Sequence, residues 1–171
     1  MHDILIHCAN YMKEVVLQTK ITQCQYQELP PELAKLVDQA KRMTQQAYCP
    51  YSHFHVGAAL LLANGQIITG ANQENAAYPS GMCAERTALF AANANYPDSP
   101  VKVLAIAAYT NDKFTQEAVS PCGACRQVML ETEYRFSTPI KVVLYGEKMC
   151  YIFESAADLL PLNFVAESLL G

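Results

Sequence analysis

Apolar residues recur every three to four positions between the prolines at 30–31 and Pro50. The apolar positions of this segment are Leu33, Leu36, Val37, Ala40, Met43 and Ala47. Because an α-helix has 3.6 residues per turn, this spacing places them on one face. The pattern predicts an amphipathic helix over residues 33–47 that buries this face.

Apolar runs without that period predict the strands. Residues 56–63 and 66–69 are two such runs, and Asn64-Gly65 between them is typical of a two-residue hairpin turn in which both residues adopt positive φ. Further strands are predicted at 101–108, 140–144 and 150–153. About five residues around Gly146 separate the last two strands, too few for a helical crossover, so these strands must be antiparallel.

Two further helices are predicted to begin within cysteine-containing motifs. One follows Cys83 and runs through Ala88, Leu89 and Ala92. The other runs from Cys122 to about Glu133, with Ser120 as N-cap and Pro121 as first helical residue. Short helical segments are expected at 155–160 and 165–170. Together the elements predict an α/β fold, a three-layer helix/sheet/helix sandwich with a mixed five-stranded sheet.

Length and composition narrow the class of protein. A chain of 171 residues is long enough for one domain with a sizeable core. Hydrophobic residues make up 51% and charged residues 16%, an apolar content that favours an oligomer. A net charge of −4 without a Lys/Arg run argues against nucleic-acid binding. No apolar run reaches the ~18 residues of a membrane span and no signal peptide is visible, so we expect a cytoplasmic protein.

Three cysteines form a candidate catalytic zinc site. Cys83 lies in a Cys-Ala-Glu-Arg segment, and Cys122 and Cys125 lie in Pro-Cys-Gly-Ala-Cys. Structural zinc sites usually have four protein ligands, whereas hydrolytic sites have three and leave a position for water. Glu85 follows Cys83 by two residues and can handle the proton of that water without being a ligand, a spacing typical of zinc nucleobase deaminases. Arg86 is placed to donate hydrogen bonds to thiolates and offset their charge.

The residues alone leave other interpretations of these motifs open. Cys122 and Cys125 could form a thioredoxin-like redox pair. Cys49 could be the fourth ligand of a closed structural zinc site. Arg86 could form an ordinary surface ion pair. The chain has seven cysteines, an odd number, and this favours reduced, metal-binding thiols over a disulfide framework.

Several segments together resemble the small, homotetrameric class of cytidine deaminase. The matching segments are residues 48–54, 56–60, 72–79, 83–86 and 121–127. The resemblance runs in unbroken order from about residue 31 to residue 170, which implies a single catalytic domain of cytidine deaminase-like fold over 31–171. Residues 1–30 are then an N-terminal extension. Apolar and β-branched residues between 15 and 22 favour an extended arm or an extra strand there, and residues 1–11 could be helical or disordered.

The resemblance implies a reaction and a cofactor. It implies hydrolytic deamination of free cytidine and 2′-deoxycytidine to the uracil nucleosides, with one zinc ion per subunit held by Cys83, Cys122 and Cys125. Glu85 would take a proton from the attacking water and pass protons to N3 of the base and to the departing ammonia. A nucleoside substrate and a role in pyrimidine salvage follow from the same resemblance, and the charge and apolar pattern given above argue against a nucleic-acid or membrane partner.

The resemblance also implies the substrate contacts. Asn72 and Glu74 would bind the ribose hydroxyls, Phe54 would line the base pocket and Ala84 would contact the pyrimidine through its backbone. Phe164 would stack on the base in a neighbouring subunit, so that sites are shared across the interfaces of a homotetramer. Without the resemblance, the two polar residues could simply turn the chain after a strand, and both phenylalanines could be core residues.

Two alternative functions stay open at this point. The chain could deaminate another small cytosine compound, such as an antibiotic resembling blasticidin S, or it could be an inactive, zinc-stabilised oligomeric scaffold. The tRNA and DNA/RNA editing deaminases resemble one another in placing a helix between the last two strands and in using His as the first ligand. This chain has neither feature.

Overall fold

One mixed sheet forms the centre of the protein. The computed structural model describes residues 12–170, so the helical or disordered alternatives for residues 1–11 lie outside the described part. The strands are β1 (Thr22–Cys24), β2 (His55–Leu62), β3 (Ile67–Ala71), β4 (Val101–Thr110), β5 (Lys113–Phe114), β6 (Lys141–Leu144) and β7 (Cys150–Phe153). Their order is β1-β7-β6-β4-β2-β3, and β5 pairs with β4. The five predicted strands are present, and the two short strands β1 and β5 extend the sheet to seven.

Strand direction agrees with the predicted mixed sheet. Strands β4 and β6 are parallel, as expected for two strands joined through a helix. Strands β6 and β7 are antiparallel, which confirms the prediction made from the short connection around Gly146. Strand β1 pairs antiparallel with β7, with Cys24 opposite Cys150.

Helices cover both faces of the sheet. They are α1 (Pro31–Met43), α2 (Ala84–Asn95), α3 (Gly123–Phe136) and the short α4 (Glu167–Leu170). Helix α1 packs on one face, where Val37 and Ala40 are fully buried, and α2 and α3 pack on the other, where Leu89 and Met129 are fully buried. Burial of both faces explains why β4 is an almost continuous apolar run. The predicted three-layer sandwich is confirmed.

Element ends differ from the sequence prediction in three places. Helix α1 begins at Pro31 and ends at Met43, before a 3-10 turn at Thr44–Gln46. Helix α3 is capped by Cys122, which has extended backbone, so the assignment of Ser120 as N-cap and Pro121 as first helical residue was wrong. In the β2–β3 turn only Gly65 has positive φ, 84°. Leu62 pairs with Gln66 there, as in a three-residue hairpin loop.

The starts of α2 and α3 are held at one end of the sheet. Helix α2 lies unusually close to β3, because a Cβ atom on Gly70 would be 2.5 Å from the carbonyl oxygen of Ala84 and 2.6 Å from the amide nitrogen of Ala88. Only a glycine allows this approach. The first turn of α2 is thus fixed against the sheet. No helix in the described part of the chain is long and apolar enough to cross a membrane.

Candidate zinc and substrate site

The three cysteines of the two motifs come together where α2 and α3 begin. Cys83 is the N-cap of α2 and Cys122 is the N-cap of α3, which confirms that both motifs open helices. Cys125 follows in the first turn of α3. The Sγ atoms of Cys83 and Cys122 are 3.8 Å apart, and those of Cys122 and Cys125 are 3.4 Å apart.

This arrangement fits a zinc ion. Two sulfur ligands of a tetrahedral zinc, each at ~2.3 Å from the metal, are about 3.8 Å apart. All three Sγ atoms lie within 4.8 Å of one another. Cys49 is buried and is not part of this cluster, so residues 12–170 give no support to a closed site with Cys49 as fourth ligand. The cluster offers three thiolates and leaves one coordination position free, as hydrolytic zinc sites do.

The surroundings of the thiols favour a thiolate. A hydrogen bond with the Cys125 thiol, and a second one from Arg86, lower the pKa of Cys83 to about 5. The same thiol pairing, together with burial, raises the pKa of Cys125. Since zinc ligands are thiolates, metal binding would release the proton that the raised pKa of Cys125 retains. Both helix starts also present the positive end of the helix dipole to the cysteines.

Glu85 is a buried carboxyl group beside these thiols. Its side chain lies in the first turn of α2 and is 4% exposed. Burial raises its pKa, and the neighbouring negative charge of Cys83 raises it further. The residue also lines the cavity described below. A carboxyl group in this position can exchange protons with a molecule bound next to the three sulfurs.

Arg86 points at the thiols rather than at a surface partner. Its Nη2 donates to the Sγ atom of Cys83 at 3.6 Å. The hydrogen bond to Cys83 raises the pKa of the guanidinium, so the group stays charged. Its Nε atom is buried without a hydrogen-bond partner among the described residues. This geometry supports the charge-offsetting interpretation of Arg86 over the surface ion pair.

A cavity of about 610 Å³ is lined by Cys83, Cys122 and Glu85. Its wall combines apolar residues with polar groups from four segments of the chain. The lining includes Tyr51, Ser52, Val56, Asn72, Glu74, Tyr78, Cys83, Ala84, Glu85, Ile106 and Cys122. The size is in the range of small-molecule sites. Cys83 and Cys122 are therefore accessible to a ligand of nucleoside size.

Asn72 and Glu74 line the cavity and also order its rim. The Asn72 side chain accepts a hydrogen bond from the Val56 amide at 2.7 Å and donates to the Phe54 carbonyl at 2.9 Å. One oxygen of Glu74 accepts from the backbone amides of Tyr51 and Ser52 at 2.9 and 3.2 Å. Hydrogen bonds from Ser52 and Tyr51 lower the pKa of Glu74, so it is charged. Both residues thus hold backbone at the rim and line the cavity.

Of the other three predicted substrate contacts, one lines the cavity and two do not. Ala84 is buried and lines the cavity beside Cys83. Phe54 is half-buried and does not line it, and Val56 and Ile106 provide the apolar wall instead. Phe164 is 56% exposed and also lies outside the lining. Within this chain the structure therefore brings together the three cysteines, Glu85, Ala84 and the Asn72–Glu74 pair, and leaves both phenylalanines apart.

Sequence reasoning missed the aromatic rim of the cavity. The rings of Tyr51 and Tyr78 meet edge to face with centroids 6.3 Å apart, and Tyr78 is 77% exposed. The sequence alone assigned no functional role to either tyrosine. Tyr51 lies in the same motif as Phe54, and Tyr78 lies in the same motif as Glu74. Because residues of one motif tend to share one site, this was the signal available in the sequence.

Comparisons with known proteins agree with this geometry. The family model for the cytidine and deoxycytidylate deaminase zinc-binding region matches residues 31–138. A cytidine deaminase of Halalkalibacterium halodurans is 44% identical over 136 residues, which cover 78% of this chain and 95% of that protein. One of Sporosarcina psychrophila is 49% identical over 100 residues, 58% of this chain and 69% of that one.

A solved structure shows the same fold. The cytidine deaminase of Burkholderia pseudomallei superposes with a TM-score of 0.65 at 41% identity, and the match covers 76% of this chain and 97% of that one. The sandwich and its three-thiol site define a zinc-dependent hydrolytic deaminase. The chain belongs to the family of cytidine and deoxycytidylate deaminases that carry this zinc-binding region.

Proposed function

We propose that this protein hydrolytically deaminates free cytidine and 2′-deoxycytidine, giving the uracil nucleosides and ammonia for pyrimidine salvage. One observation carries the proposal. Three thiols that fit a zinc ion lie at two helix starts, and the buried carboxyl group of Glu85 lines the same cavity as Cys83 and Cys122. The names of the relatives, which are cytidine deaminases, support the choice of substrate and disfavour a blasticidin-like compound or an inactive scaffold.

The residues would divide the chemistry as follows. Cys83, Cys122 and Cys125 would hold zinc, which when bound supplies the Lewis acidity that activates water at neutral pH. The Glu85 carboxylate would accept a proton from the attacking water and deliver protons to N3 of the base and to the departing amino nitrogen. Arg86 would withdraw electron density from the thiolates by its hydrogen bond to Cys83. Water adds to C4 and ammonia leaves, so the reaction balances.

The substrate would lie between Glu85 and the polar rim. Glu74 uses one carboxylate oxygen for the backbone of residues 51–52, and we assign its other oxygen, with Asn72, to the ribose hydroxyls. Ala84 would contact the pyrimidine through its backbone. We keep Phe54 as a proposed base contact, although Val56 and Ile106 line the cavity of the single subunit.

We further propose a homotetramer with shared sites. Phe164 is exposed on its own subunit, which leaves its ring free to reach the base in a neighbour. The cavity also has an open aromatic rim at Tyr51 and Tyr78 that a second subunit could close. The six described cysteines are free thiols, as in a reducing compartment, which supports the proposed cytoplasmic location.

The substitution Glu85→Gln tests the assignment. It keeps the size of the side chain and removes its ability to carry a proton. We expect one zinc per subunit to remain and turnover of cytidine to fall by at least ~10²–10⁴-fold. Metal analysis and an absorbance assay of cytidine deamination measure the two quantities. The matched control is Glu131→Gln, an exposed glutamate on α3, which should leave both unchanged.

Three outcomes would contradict the proposal. A wild-type protein without zinc would refute the metal site. A zinc-bearing wild type that does not turn over cytidine would favour another substrate or the scaffold. A Glu85→Gln protein with near wild-type turnover would show that a different group moves the proton.

A further inference from the structure

One arginine joins the cysteine motif to the C-terminal part of the chain. Arg126 directly follows Cys125 in the first turn of α3. Its Nε donates to the Pro121 carbonyl at 2.8 Å, and its Nη1 donates to the Leu159 carbonyl at 2.6 Å. Pro121 immediately precedes Cys122, and Leu159 ends the 3-10 turn that follows β7. A single guanidinium thus contacts the segment that carries a metal ligand and a segment more than thirty residues away in sequence.

The next residue makes a second connection to the same region. The side-chain amide of Gln127 donates to the Phe164 carbonyl at 2.8 Å. Between these two attachment points, Leu162 is 92% exposed and has a positive φ of 52°. Leu159 is buried in the core, whereas Pro161, Leu162 and Phe164 are exposed. Hydrogen bonds from α3 therefore add to the packing of Leu159 in holding residues 159–164 next to the cysteine motif.

The hydrogen bond to Pro121 acts on Cys122 through the peptide plane. The carbonyl of Pro121 and the amide of Cys122 belong to one rigid, planar unit. Anchoring that carbonyl restricts rotation of the plane from which the Cys122 side chain projects. Arginine is suited to this task because its planar fork can satisfy two carbonyls in fixed directions, whereas the ammonium group of lysine is a single point donor.

We propose that Arg126 is a positioning residue that couples the orientation of the Cys122 thiolate to the position of Leu159 at the start of the C-terminal segment. Gln127 is a second tether that acts only on the C-terminal segment. The inference rests on the proposed function, since it takes Cys122 as a zinc ligand. It adds a connection by which a displacement at Leu159 is transmitted to the metal site, whereas Gln127 holds the part that bears Phe164.

The test compares two arginines of the same helix. Arg126→Lys removes the double contact, and Arg135→Lys removes a single hydrogen bond from α3 to the Pro97 carbonyl, 2.8 Å long. We expect zinc loss to a chelator to be about tenfold faster in the first variant, as for other residues that orient metal ligands, and unchanged in the second. Cobalt-substituted protein should show altered absorption bands for Arg126→Lys alone, because those bands report ligand geometry.

Gln127→Met separates the two tethers. Methionine has a similar length but no hydrogen-bond donor for the Phe164 carbonyl. The variant should therefore lose zinc at the wild-type rate. Its KM for cytidine should rise, with little change in kcat. If Arg126→Lys does not fold, Arg126→Gln, which keeps one donor group, takes its place with the same expectations.

The outcomes distinguish this inference from the proposed function. Suppose that the wild type binds zinc, and that Arg126→Lys loses zinc at the same rate and has the same cobalt spectrum as Arg135→Lys. This result would refute the positioning role alone. A wild-type protein that binds no zinc would refute the proposed function, and the inference would fall with it. Faster zinc loss in Gln127→Met as well would overturn the separate roles of the two tethers.

Discussion

The close contact between Gly70 and α2 offers a direct test of how the sheet positions the site. In Gly70→Ala the new methyl group would lie 2.5 Å from the Ala84 carbonyl oxygen and 2.6 Å from the Ala88 amide nitrogen. Ordinary van der Waals contact begins near 3.4 Å. The first turn of α2 must therefore retreat by roughly 0.9 Å, since its backbone cannot rotate away as a side chain would.

That displacement should affect stability and turnover together. Overpacking of this kind costs about 1–3 kcal/mol of unfolding free energy. Cys83, Glu85 and Arg86 all move with this turn, and misplacing a reacting group by ~1 Å can cost about 10²-fold in rate. We expect a lower thermal midpoint and a fall in kcat/KM of about that size. Thermal unfolding and steady-state kinetics, at a temperature where the variant is folded, measure both.

Gly57 on the other face of the sheet provides the control. A Cβ atom there would lie 2.0 Å from the Ala40 carbonyl oxygen of α1, so Gly57→Ala should destabilise the protein at least as much. Its strain displaces α1, which carries none of the thiols. Turnover per folded molecule should then stay near that of the wild type. Equal losses of turnover in the two variants, or normal kcat/KM in Gly70→Ala, would refute the reasoning.

Two further predictions concern the C-terminal part of the chain. Glu133 is buried, and its carboxylate accepts hydrogen bonds from three backbone amides. Glu133→Gln should therefore cost about 1.5–3 kcal/mol in denaturant unfolding, and an unchanged midpoint relative to the exposed-site variant Glu131→Gln would contradict this. If Phe164 completes a neighbour's site, mixed oligomers of Glu85→Gln and Phe164→Ala subunits should recover activity above either parent. No recovery after subunit exchange, confirmed by mass spectrometry, would remove the argument for shared sites.

The elements that the sequence predicted well are those with a strong period or a specific motif. The helix at α1 and the strands β4, β6 and β7 follow from apolar spacing, because burial of a face depends on which positions are apolar. The convergence of Cys83 with Cys122 and Cys125 could be expected from the ligand requirement of zinc. In each case one dominant physical effect decides the outcome.

The errors fall where local preferences compete with the fold. Ser120 and Pro121 form a good local start signal, but a cap contributes only ~1 kcal/mol. Helix α3 instead begins so that Cys122 is its N-cap, two positions later, which brings that thiol next to Cys125. In the β2–β3 turn, Asn64-Gly65 indicated a hairpin correctly. The turn type was wrong because one extra loop residue leaves a single positive φ, at Gly65.

Contacts between distant segments could not be predicted from the pattern. Nothing in the spacing shows that Glu74 binds the backbone of residues 51–52 or that Arg126 reaches Leu159. Both side chains act on backbone groups, whose positions are set by the packed sheet and not by residue type. For this reason the sequence indicates which residues carry the chemistry more readily than it indicates which residues hold them in place.

The charge balance of the site explains why it needs these supports. Three thiolates exceed the charge of a zinc ion by one, and a second negative charge is present whenever Glu85 is ionised. Arg86 and the two helix starts supply the compensating positive charge. Compensation by dipoles falls off within the first turn of a helix, so it is effective only if both helix starts stay in contact with the sulfurs. Gly70 fixes one helix start against the sheet, and Arg126 ties the other to the C-terminal segment.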